Sequence, residues 1–226
     1  MNPLETWSPI LNVWQHGQMD LPNVHCWSSF DNEKSGGIRP QNLLQHSFSV
    51  ALLGKILIHQ LRPFVTLDEP LLLTAFIIHD LGKAELGLDT PHPSKSDWSE
   101  IKEYEAFTAR CSPLEAGLYD ELKRAFLLKC VGRNPERFPD EARAIIAELV
   151  EKRPMEVLAF DAAERWDYLL FALEQYKDRQ NDVILSRVLQ THSARLDELA
   201  EKLPGFGQTV WTTEMKTWKE EFLKTH

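Results

Sequence analysis

Cysteine is scarce: the 226 residues hold only Cys26, Cys111 and Cys130, an odd number far apart in the chain. They make neither a disulfide framework nor a zinc knuckle, so a reducing, cytoplasmic setting is the expectation. Long apolar runs are missing as well. No stretch of about 18 apolar residues is present, which argues against a membrane partner, and the opening MNPLETWSPI has no basic stretch leading into an apolar one, so nothing marks it for export. The chain also lacks a surplus of positive charge, with 25 basic against 34 acidic residues and a net charge of -9. A surface built to neutralise a phosphate backbone clusters basic residues, so a nucleic acid polymer is not an expected partner. A small phosphorylated metabolite stays open, because a divalent cation and one or two basic groups dominate the field inside a small site whatever the net charge. Internal repeats and low-complexity tracts are absent too, and 26.1 kDa is enough for one substantial core.

What is there is helical spacing. Leu4 to His16 places Trp7, Ile10, Leu11 and Trp14 at helical intervals, and Gly17 to Pro40 turns irregular around Pro22, Gly36 and Gly37. Gln41 to Leu61 is apolar nearly all round, as expected of a helix buried at the centre of a bundle. Thr66-Leu-Asp-Glu-Pro70 reads as a helix start, with a cap, an acid and an early proline, and Leu71 to Asp80 continues as a second buried helix. Gly82 and Gly87 then lead out of it, and Thr90-Pro-His-Pro-Ser94 is a loop. Segments over Asp97 to Cys111, Leu114 to Cys130, Asp140 to Lys152, Pro154 to Tyr176, Asp182 to Lys202 and Glu214 to Lys224 keep spacings of three and four, and no convincing strand remains. The fold class is all-α, a single-domain helical bundle.

Chemistry enters where polar groups interrupt this apolar pattern. Phe76-Ile-Ile-His-Asp80 ends an apolar run in a histidine and an aspartate, and His46 lies inside the other very apolar helix. Unpaired, a buried imidazole and carboxylate cost several kcal/mol, whereas both are ordinary ligands of divalent first-row metals. A lone buried histidine is more often a core residue bonded to a carbonyl; two on neighbouring helices with an adjacent aspartate point instead to a metal.

These residues resemble the HD-domain superfamily of metal-dependent phosphohydrolases, whose pattern is H on one helix, HD on the next and an acid on a later one; His79-Asp-Leu-Gly-Lys83 is a common form of the central motif. Arg39-Pro-Gln-Asn42-Leu-Leu-Gln-His46-Ser47 is similar to the R-x-x-N-x-x-x-H-S pattern of the 5′-deoxynucleotidase-like branch, which makes Arg39 the candidate phosphate contact. The phrase A-D-x-L, with a glutamate ten residues on, is matched by Ala163-Glu164-Arg-Trp166 with Glu174, so the resemblance implies His46, His79, Asp80 and Glu164 as metal ligands. Glutamate replaces the usual aspartate there, and Asp161 and Asp167, one turn either side, stand as alternatives. Lys83 occupies the position where that branch carries a water-positioning glutamate; as a cation it suits a substrate phosphate or transition-state charge. Catalytic roles are thus assigned to Asp80 and Lys83, and substrate binding to Arg39 and Lys83. His25, His59 and His92 are not expected to form a second metal site, His92 being the best placed of the three.

The resemblance runs from Arg39 to Lys202, giving an amino-terminal helix and loop over 1–38, an HD domain over 39–202 and a carboxy-terminal extension over 203–226. The implied cofactor is a divalent metal ion, drawn from manganese, cobalt, iron, zinc or magnesium. The implied activity is phosphomonoester hydrolysis of a nucleotide, a (deoxy)nucleoside monophosphate or similar small phosphate, by a metal-activated water. The alternative is a catalytically weakened metal- or nucleotide-binding module; a cyclic-dinucleotide phosphodiesterase ranks third because its downstream G-Y-P element is missing. Trp7, Trp14, Trp211 and Trp218 either finish the core or build a homodimer interface, with a homodimer as the expectation.

Overall fold

A computed structural model describes residues 8–10, 13, 15, 20–26, 41–86, 97–179 and 181–225. The central helix α1 (Leu43–Leu61) starts at a capping box: Asn42 Oδ1 accepts from the Gln45 backbone N–H at 2.9 Å, and Gln45 Oε1 accepts from the Asn42 N–H at 3.1 Å. Asn42 of the R-x-x-N pattern is therefore the helix cap. Just before it, two-residue strands β1 (His25–Cys26) and β2 (Gln41–Asn42) pair antiparallel, His25 opposite Asn42, a pairing too short to leave a period-two signature in the sequence.

Helix α2 (Glu69–Ile78) begins at Asp68, whose carboxylate accepts from the Leu71 N–H at 3.2 Å, with Pro70 in the first turn. His79 and Asp80 form the turn out of α2. Gly82, which the sequence reading treats as an exit, instead lies inside the short helix α3 (Leu81–Leu86). It is glycine because α4 (Asp97–Cys111) passes so close that a Cβ here would stand 2.1 Å from the Glu103 carbonyl oxygen. The chain continues through α5 (Ala116–Leu127), a 3₁₀ turn at Leu128–Cys130, α6 (Asp140–Lys152), α7 (Pro154–Arg179), α8 (Asp182–Lys202), the single turn α9 (Phe206–Thr209) and α10 (Thr213–Thr225). The described residues are overwhelmingly helical, as expected of an all-α bundle, and no described helix is long and apolar enough to cross a membrane.

Helix α1 packs against α2 and α7, and α7 against α8. Leu57, Leu72, Phe76, Phe107, Phe126, Leu149 and Phe206 fill the core. The carboxy-terminal segment finishes it. Trp211 is 1% exposed and its indole N–H donates to Asp197 Oδ1 at 2.7 Å, while Trp218 and Phe222 pack beside Tyr176. Two of the four tryptophans considered for an interface thus belong to the core; Trp7 and Trp14 lie outside the described residues. One expectation for α1 fails: it is not buried all round, because Leu44, Phe48, Leu52 and Ile56 face outward.

Candidate metal centre

Helix α1 delivers His46, the end of α2 delivers His79 and Asp80, and α7 delivers Glu164. Both imidazoles and Asp80 are at most 2% exposed, while the Glu164 side chain keeps 24% exposure. His46 Nδ1 lies 2.8 Å from Asp167 Oδ2 and His79 Nδ1 lies 2.9 Å from the Phe76 carbonyl oxygen. Each acceptor requires a proton on that nitrogen, so each ring in its neutral form carries N–H at Nδ1 and turns the lone pair of Nε2 toward the centre. The two Nε2 atoms are 3.4 Å apart. Asp80 Oδ2 stands 3.5 Å from His79 Nε2 and 3.8 Å from His46 Nε2, and Glu164 Oε1 3.7 Å from His79 Nε2.

Four potential lone-pair donors therefore converge. Asp80 Oδ2 is buried without a hydrogen-bond partner, the kind of orphan a protein interior rarely tolerates. A divalent cation satisfies such a set, since neutral imidazole and carboxylate are its common ligands and histidines anchored through the far nitrogen are its usual orientation. Among the described residues, His46, His79 and Glu164 are the one group of three potential ligands whose atoms lie within 4.8 Å of one another, with Asp80 beside it.

Electrostatics separate the two rings. Burial drives the His79 pKa down to about 3, which keeps that ring neutral and able to ligate. Burial also lowers His46, but the hydrogen bond and charge of Asp167 outweigh it, so the pKa is raised. Asp80 is held well below the ordinary carboxylate range: burial pushes it up, and His79 and Lys83 more than reverse this. Glu164 is raised by burial and by the neighbouring Asp80.

Of the alternative ligands on α7, Asp161 accepts from Arg165 Nε at 2.7 Å and Arg195 Nε at 2.6 Å, and Asp167 accepts from His46 and from the Ser49 hydroxyl. Both carboxylates already have partners, whereas Glu164 points at the histidines. Lys83 is 8% exposed with Nζ 2.8 Å from Asp80 Oδ1, so it belongs to the centre. Arg39 and His92 lie outside the described residues. His25 and His59 are exposed.

Two contributors escape the sequence reading. Asp167 appears there only as a rival ligand; its place as the partner of His46 depends on how α7 lies against α1. Lys129 is absent from it altogether, yet its ammonium donates to the His79 carbonyl at 2.6 Å and to Glu103 Oε2 at 2.5 Å, with Glu100 Oε2 at 3.8 Å, pinning the end of α2. The signal that marks His79 marks Lys129 as well: a charge at the end of an apolar run, Phe126-Leu-Leu-Lys-Cys130. Beside the centre, Tyr168 stacks on His46 with ring centroids 5.7 Å apart and leans on His192 at 5.3 Å, and Arg165 Nη1 donates to His192 Nδ1 at 2.6 Å.

A family model described as HD domain matches residues 32–204. Comparisons with curated proteins and with solved structures give no match.

Proposed function

The chain belongs to the HD-domain family, whose members are generally metal-dependent hydrolases, and from that premise we propose that it is a phosphohydrolase: a phosphomonoesterase for a (deoxy)nucleoside monophosphate or a similar small phosphate, closest to the 5′-deoxynucleotidase-like branch. The observation that carries the reading is the pair of inward-facing Nε2 atoms 3.4 Å apart beside the unpartnered Asp80 Oδ2. His46, His79, Asp80 and Glu164 hold the cation. When bound, it supplies Lewis acidity to a phosphoryl oxygen and lowers the pKa of a water.

The protein's own groups do the rest. Asp80 orients the attacking water; water oxygen bonds to phosphorus as the ester P–O bond breaks, and the proton the water gives up passes through solvent to the leaving alcohol. Lys83, fixed against Asp80, places a compact positive charge where the phosphoryl oxygens gain negative charge. Asp167 holds His46 in its working tautomer. Arg39 contacts the phosphate, by the resemblance of its segment to that branch. Because phosphoryl transfer needs little covalent help, positioning and charge supply most of the acceleration.

The test is phosphate release from a panel of deoxy- and ribonucleoside monophosphates by chelator-stripped protein, with manganese, cobalt, magnesium or zinc returned. Release that needs metal and is lost in His79→Ala is the expected result. A second reading has one observation in its favour: the Lys83 ammonium sits on the HD aspartate, where it competes with metal and water for the same carboxylate. Metal retained without release from any substrate supports that reading, a binding module.

A further inference from the structure

One stripe of α7 turns three side chains to the centre: Glu164, Asp167 three residues on and Tyr168 four residues on. Glu164 points at the histidines, and Asp167 holds His46 Nδ1 at 2.8 Å. Tyr168 acts on the same imidazole in another way. Its ring lies nearly parallel to that of His46, 11° apart with centroids at 5.7 Å, while His79 meets His46 edge-on at 5.2 Å. A hydrogen bond at one nitrogen leaves an imidazole free to swing about that bond, because the last side-chain torsion of histidine has broad minima. A ring laid against its face removes that freedom and narrows the directions open to Nε2. We propose that Tyr168 is a positioning residue for His46: Asp167 selects the nitrogen that faces the centre, and the Tyr168 ring fixes the plane in which that nitrogen's lone pair points.

Tyr168 is itself backed from α8. His192, 4% exposed, lies against its ring with centroids 5.3 Å apart and a tilt of 38°. Arg165 Nη1 donates to His192 Nδ1 at 2.6 Å. A guanidinium has only donors, so His192 accepts at Nδ1 and carries its ring proton on Nε2, the reverse of the arrangement at His46 and His79. Asp161 in turn accepts from Arg165 Nε at 2.7 Å and from Arg195 Nε at 2.6 Å, which clasps α7 to α8. None of these groups is a ligand. The aim of His46 is thus set in part by a clasp outside the centre, transmitted through one aromatic ring, and groups that orient a ligand from behind govern metal affinity without touching the metal.

This role rests on the metal centre of the proposed function, yet it is read on metal binding rather than on phosphate release, so the two fail separately. Cobalt(II) is titrated into the chelator-stripped full chain, and affinity, the visible spectrum of the bound ion and the thermal midpoint are recorded for wild type, Tyr168→Phe and Tyr168→Leu. Tyr168→Phe keeps the flat ring and is expected to match the wild type in affinity and spectrum. Tyr168→Leu fills the space without a flat face and is expected to bind about 10-fold more weakly, with shifted bands. A leucine variant that loses thermal stability but keeps the wild-type affinity and spectrum overturns the proposal, since the ring is then packing alone. Equal losses in both variants overturn it by moving the effect to the hydroxyl. Should Tyr168→Leu not fold, His192→Gln keeps an acceptor for Arg165 and withdraws the ring behind Tyr168; shifted bands support the proposal and a wild-type spectrum overturns it. A wild type that binds cobalt and releases no phosphate overturns the activity while the comparison of phenylalanine with leucine still decides the role of Tyr168; a wild type that binds no cobalt overturns both.

Discussion

Each site histidine commits one ring nitrogen to the protein and keeps the other for the centre. For His46 the anchor is Asp167 at 2.8 Å, for His79 the Phe76 carbonyl at 2.9 Å. The consequence is testable at Asp167, which touches no proposed ligand atom. Asp167→Asn replaces a carboxylate acceptor with an amide that no longer fixes the Nδ1 proton, and metal affinity measured by calorimetry is expected to fall about 10- to 100-fold with the thermal midpoint little changed. The α7 carboxylates separate in the same way. Glu164→Gln removes a ligand and is expected to weaken metal binding strongly; Asp161→Asn leaves metal binding near wild type and lowers stability instead, because it strands the buried parts of Arg165 and Arg195. The reverse order moves the ligand to Asp161.

At the level of elements, the centre depends on a turn that holds its shape by close packing. Lys129 fixes the end of α2 from below, and α3 lies on α4 at Gly82 with no room for a side chain. Gly82→Ala drives a methyl group into the Glu103 backbone and is expected to cost about 1–3 kcal/mol in chemical denaturation, with metal binding weakened as the turn shifts. The same elements show how far the sequence is legible. His46, His79 and Asp80 stand out because each interrupts an apolar run, and Asp68 and Pro70 announce the start of α2 by local chemistry alone. Gly82 misleads, since a glycine in sequence reads as a break and only the approach of α4 explains its presence within a helix. The outward face of α1 misleads for the opposite reason: a helix apolar on every side is the pattern of full burial, yet Leu44, Phe48, Leu52 and Ile56 stay exposed. Asp167 and Lys129 act through contacts between distant segments, so periodicity carries no trace of their partners.

Across the whole molecule, the carboxy-terminal extension is part of the fold's stability. Trp211 is sealed under α8, with Asp197 accepting from its indole at 2.7 Å and from Lys219 at 3.3 Å. Burial raises the Asp197 pKa, but these two donors outweigh it, and the folded value lies below the ordinary 3.8. A depressed carboxylate stabilises the fold fully above its unfolded pKa and loses that contribution as pH falls through the folded one. The stability gap between wild type and Asp197→Asn in urea is therefore expected to narrow as pH is lowered from about 6 to about 3; a gap independent of pH contradicts the assignment.

The proposed activity requires that α1, the end of α2 and α7 together hold a divalent cation. The most direct measurement is calorimetric titration of chelator-stripped protein with manganese, wild type beside His46→Ala, at several pH values. The prediction is one saturable site in the wild type, absent from the variant, with affinity rising with pH as the cation displaces the proton that Asp167 favours on His46. Equal binding by the two proteins, or no binding by the wild type, contradicts it.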